Sequence, residues 1–84
     1  MDTIPLWVRL PGLPLHYWEL VHLRKIGNIL GQFLEADLSF IETKQRQVAR
    51  ILVNINLRDG LAEDINLVWG PNVIKQILDD ENAF

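Results

Sequence analysis

QVARILVNINL, residues 47–57, decides the fold. Ala49, Ile51, Val53 and Ile55 recur at every second position, and Val48, Arg50, Leu52 and Asn54 fall between them. A period of two is the signature of a strand, because successive side chains leave a strand on opposite faces. Eleven residues rich in Val and Ile, with no Gly or Pro, make this the clearest strand in the chain. One face is wholly apolar and needs cover; the other mixes Arg50 and Asn54 with Val48 and Leu52.

Upstream, PLWVRLPGLPLHYW (5–18) repeats the pattern. Residues 5–10 read as a strand with Leu6, Val8 and Leu10 inward and Trp7 and Arg9 outward. Pro11-Gly12 stops it, and Pro14 constrains the entry to the next element. From residue 17 the apolar spacing changes to that of a helix. Leu20, Leu23, Ile26, Gly27 and Leu30 form one stripe, so the spacing predicts an amphipathic helix over 17–30. Gly27 lies on that stripe, where close approach to a sheet would offset its cost of about 1 kcal/mol relative to alanine. Gly31 stands where a left-handed C-cap residue belongs.

Residues 32–38 read as a second strand and 40–46 (FIETKQR) as a polar connection. After the Arg58-Asp59-Gly60 turn, INLVW (65–69) reads as another strand. Gly70-Pro71-Asn72 is a tight turn. VIKQIL (73–78) reads as the returning strand of a hairpin, with a short helix as its rival. The acidic end, 79–84, reads as a frayed tail. The whole, 1–84, is expected to be one α+β domain: two layers, a mainly antiparallel sheet of four to five strands, and one main helix on one face, in the order β-α-β-β-β-β.

The 84 residues hold 49% hydrophobic residues and no cysteine, so neither disulfides nor Cys-based metal sites enter. No metal or cofactor is expected. His16 and His22 are six apart, not at the four-residue spacing of a helical metal pair. No apolar run approaches the roughly 20 residues needed to cross a bilayer, so no membrane association is expected. Met1 to Pro5 include Asp2 and no basic n-region, which argues against a signal peptide; the expected location is intracellular, nucleus or cytoplasm. No arrangement of nucleophile, base and stabiliser can be placed, so neither an enzyme nor a small-molecule substrate is expected.

Net charge is −3, unevenly distributed. Lys44, Arg46, Arg50 and Arg58 outnumber Glu42 and Asp59 within 41–60, leaving that segment at +2. Residues 61–84 carry −4, from Glu63, Asp64, Asp79, Asp80 and Glu81 against Lys75. Only the middle segment can attract phosphates.

LWVRLPGL and RQVARILV also resemble the two short signatures of the RNA-recognition motif, whose outward aromatics stack on bases. Trp7 takes the first aromatic position, Arg46 the basic start of the second signature, and Ala49 its small residue. Val48 and Arg50 stand where the other two rings belong. Candidate nucleic-acid or interface residues are therefore Trp7, Arg9, Lys44, Arg46, Arg50 and Asn54. A second reading has Trp7 packing against Val48 and Leu52 beneath a protein partner, with the arginines paired to acids across strands. Trp18 and Trp69 read as core or rim packing.

W-V-R-L-x-G-L-P (7–14), I-G-x-x-L-G (26–31) and A-R-x-x-V-x-I (49–55) together resemble a plant-specific domain of unknown function. It occurs in gag-like, first-reading-frame proteins of LINE-type retroelements. The resemblance runs from about Ile4 to the C-terminus and corresponds to the second half of that domain. Relatives of this kind usually continue into a CCHC zinc knuckle and are taken to bind nucleic acid. The resemblance implies a retrotransposon-derived, non-enzymatic module with RNA or single-stranded DNA as partner. The position of Val48 is often aromatic in that family, and the knuckle's cysteines are not in this sequence. The alternative is a protein-interaction module that pairs with another protein or with itself as a homodimer, through an edge strand such as 73–78.

Overall fold

A computed structural model describes residues 2–37 and 48–80. Eight elements follow one another: β1 (Thr3–Leu10), a 3-10 turn (Leu15–Tyr17), α1 (Leu20–Leu30), β2 (Gln32–Asp37), β3 (Ala49–Asn56), β4 (Asp64–Trp69), β5 (Asn72–Ile77) and β6 (Asp79–Asp80). The class is α+β, with antiparallel strands and one α-helix among the described residues.

Four strands form the main sheet in the order β2-β3-β1-β6. β3 runs antiparallel to both β1 and β2, so those two are parallel to each other with β3 inserted between them. The helix α1 makes the crossover from β1 to β2. β4 and β5 pair only with each other among the described residues. Gly70 (φ 60°) and Pro71 form their two-residue loop; positive φ at the first central position is what such a loop reserves for glycine. The segment 73–78 is therefore strand through Ile77, as the hairpin reading expects.

The alternation in β1 and β3 sets the core. Val8, Leu10, Ala49, Ile51, Val53 and Ile55 are buried on one face and meet Leu23 and Ile26 of α1. Leu67 of β4 and Leu78 join the same cluster, with Ile65 and Ile74 packed against it. The hairpin thus shares the helical side of the sheet. It is held there by Gln76, the one buried polar side chain among the described residues, whose Nε2 donates to the carbonyl of Pro11 at 2.8 Å and to that of Ile77 at 2.9 Å. We expect Gln76→Leu, which keeps the volume, to cost about 1 kcal/mol, the net worth of a typical hydrogen bond, by removing the donor that ties the hairpin to the Pro11 carbonyl. A urea midpoint unchanged from the parent would show that the carbonyl finds other partners.

Three expectations are corrected. The helix begins at Leu20, not at 17: Pro14 leads into a 3-10 turn, and Glu19 is extended (φ −134°, ψ 149°) before α1. Gly31 is not a left-handed cap; its φ of 176° is extended backbone. Its reason is space, because a Cβ there would overlap the main-chain oxygen of Asn54 in β3. Gly27 does mark a close approach, with a Cβ there falling 2.6 Å from Cδ1 of Phe33 in β2. Strand β2 is not regular: the register shifts between Phe33 and Glu35, so Leu34 is an extra, bulged residue. Finally, Asp79 and Asp80 are not frayed tail but a short strand beside Arg9 and Val8.

Candidate nucleic-acid interface

The helix and the hairpin both lie against one face of the sheet. The other face carries the residues that alternate with the core, and none of them is buried: Trp7 and Arg9 from β1, Arg50, Leu52 and Asn54 from β3, Glu35 and Asp37 from β2. Of the six candidate residues, Trp7, Arg9, Arg50 and Asn54 are brought together here. Lys44 and Arg46 lie outside the described residues.

The register generates an arrangement that composition alone does not suggest. Arg9 faces Arg50 directly across β1 and β3. Like charges in directly opposed positions repel, so each needs a counter-charge. Asp37 of β2 lies opposite Arg50, and Asp79 of β6 lies opposite Arg9. The Nε of Arg50 donates to Oδ2 of Asp37 at 2.8 Å, and a terminal nitrogen of Arg9 meets Oδ2 of Asp79 at 2.6 Å. Four strands thus carry one transverse row, Asp37–Arg50–Arg9–Asp79, with charges − + + − and no net charge.

Trp7 lies beside this row. It faces Leu52, and Arg50 is its diagonal neighbour on β3. The guanidinium carbon of Arg50 sits 4.6 Å from the centre of the Trp7 ring, a cation–π distance. Two planar groups on the two central strands therefore stack on each other. Asn54, one row further, donates through Nδ2 to Oε1 of Gln32 at 3.2 Å. Its neighbour on the other side, in β1, is Pro5.

The remaining candidates separate. Trp18 donates its indole N–H to the carbonyl of Leu13 at 2.7 Å, which anchors the 3-10 turn and fits a packing role. Trp69 is different: it is 44% exposed and belongs to a ring cluster with His16, Tyr17 and His22. Asp37, Asp79 and this cluster belong to the candidate surfaces without being among the six candidate residues. The acids become visible only once the register is known, and the cluster joins residues from three separate elements. Among the described residues no group of three His, Cys, Asp or Glu could hold a metal ion, and no helix is long and apolar enough to cross a membrane.

No family model matches this chain, and neither the curated proteins nor the solved structures contain a significant match to it.

Proposed function

We propose that this chain is a non-enzymatic module of retroelement origin that holds single-stranded RNA weakly on its uncovered sheet face. The observation that carries the reading is the Trp7–Arg50 stack on the two central strands. Unpaired bases stack on aromatic rings and on guanidinium planes, and each stacked base is worth about 1–3 kcal/mol. The strand order supports an RNA-recognition-motif-like reading, with the β4–β5 hairpin standing where a β-α-β-β-α-β chain places its second helix. The neutral charge row gives the interaction its character. Both arginines are already engaged by carboxylates, so phosphate attraction from this face is small and stacking supplies most of the affinity.

The test is a titration with an unstructured RNA oligonucleotide at low salt, followed on the indole N–H signals of Trp7, Trp18 and Trp69 by NMR. The Trp7 signal should move, and Trp7→Ala should weaken binding about tenfold, the size of one lost stacking contact. A Trp7 signal that stays fixed at millimolar oligonucleotide would exclude this face as the binding surface.

A second reading rests on the hairpin. Its outer face presents Val68 opposite Val73, both exposed, with Ile77 further along and the Lys75–Asp64 ion pair at 3.5 Å. An exposed apolar hairpin whose strands pair with no others among the described residues suits a protein interface or self-association. A dimeric mass by light scattering that reverts to monomer in Val73→Lys would favour it.

A further inference from the structure

An open groove of about 360 Å³ lies between α1 and the β4–β5 hairpin. It falls at the lower end of the roughly 300–1,000 Å³ usual for ligand sites. Tyr17, His22 and Trp69 line one part of it, with Lys25, Asn66 and Ile29 also in its wall. It belongs to the helical side of the sheet, away from Trp7.

Three properties of this groove define an occupant. The first is aromatic. The Tyr17, His22 and Trp69 ring centres are 5.4–5.7 Å apart in edge-to-face contacts, and His16 closes on Trp69 at 4.3 Å. The 3-10 turn, the helix and the hairpin each contribute, so the cluster is fixed by three elements, yet Trp69 remains 44% exposed. The second is charge. Among the described residues Lys25 is the one formally charged lining residue and no carboxylate lines the groove, although the chain as a whole carries −3. Glu19 approaches Nε2 of His22 at 3.8 Å but is not in the wall. The third is a single amide, Asn66, able to donate and accept at once. The rest of the wall is apolar.

A flat ring, an anionic group and a hydrogen-bonding edge describe one nucleotide. A peptide carrying an aromatic and an acidic side chain shares the first two features. Its backbone, however, adds several donors and acceptors where the wall offers the one Asn66 amide, whereas the edge of a base needs a single donor and acceptor. A ribose has only hydroxyls to satisfy, and an open groove leaves those to water. We propose that the groove binds one unpaired nucleotide: the base against Trp69 and His22, its edge on the Asn66 amide, its phosphate on Lys25. The site goes beyond the sheet-face reading and does not depend on it.

The experiment titrates the full chain with adenosine monophosphate and follows the assigned indole and backbone signals. Trp69, Lys25 and Asn66 should shift together and saturate, while Trp7 stays fixed. Trp7→Ala should leave this titration unchanged, which separates its failure from failure of the sheet-face reading. Lys25→Gln should weaken binding about fivefold, as expected for a partly screened charge-assisted contact. Adenosine without phosphate should bind the parent and the Lys25→Gln chain equally. Three outcomes would overturn the proposal: no shift at Trp69 in millimolar nucleotide, the same shifts with inorganic phosphate alone, or an Asp-Phe dipeptide that binds more tightly than the nucleotide.

Discussion

Gly31→Ala will cost this protein about 3 kcal/mol or more. The added methyl overlaps the carbonyl oxygen of Asn54 and comes 3.3 Å from Cγ1 of Val53, both in the central strand β3. Overpacking typically costs 1–3 kcal/mol when side chains can give way. Here the obstacle is main chain, held by ladder bonds on both sides, so α1 and β2 must move together. Backbone conformation adds nothing, since the φ of 176° is open to any residue. A chain of this size is stable by about 4–12 kcal/mol, so a large part of the total is at stake. Gly27→Ala is the control. Its methyl meets Cδ1 of Phe33 at 2.6 Å, which the half-buried ring can relieve by turning, and Cβ of Phe33 at 2.9 Å, which needs only a small shift of β2. Alanine also returns about 1 kcal/mol of helix propensity. The expected order in urea denaturation is Gly31→Ala far below Gly27→Ala. Equal losses, or a milder Gly31 variant, would mean that the helix-to-strand junction is looser than this packing implies.

The second large effect is a change of sign. Asp37→Asn with Asp79→Asn keeps the shapes but removes two negative charges from the row, leaving Arg9 and Arg50 face to face without those carboxylates. Stability should fall by about 1 kcal/mol at low ionic strength, with most of the loss recovered in high salt, where exposed charges are screened. Affinity for single-stranded RNA should rise about tenfold. The slope of log K against log salt should steepen by roughly 0.7 for each arginine that now contacts phosphate. Opposite movements in stability and affinity are the diagnostic, because a variant that is merely damaged loses both. An unchanged affinity would mean that the arginines serve the sheet and not a ligand.

Much of this architecture is legible in the sequence, for a physical reason. β1 and β3 alternate cleanly, and a period of two leaves no choice of which side chains share a face. Hence Val8 and Ile51 could be assigned to the core, and Trp7 and Arg50 to the outside. Gly27 announced its close contact because a glycine on an apolar helical stripe needs a neighbour. The misreadings have a common cause, which is that register and partner choice are tertiary. Asp79 looked like solvated tail until Arg9 was found opposite it. Gly31 looked like a cap because the carbonyl it avoids lies 23 positions along the chain, at Asn54. Leu34 could not be recognised as an insertion without its partner strand.

Leu34 has a consequence for solubility. Among the described residues β2 is the outer strand on its side of the sheet, and a straight outer strand is a template onto which further chains can add. One extra residue breaks the even spacing of donors and acceptors along that rim and bends the strand locally. On this physics, deleting Leu34 should give a straighter outer strand and a chain that adds to its own copies more readily, a change that light scattering over time would register.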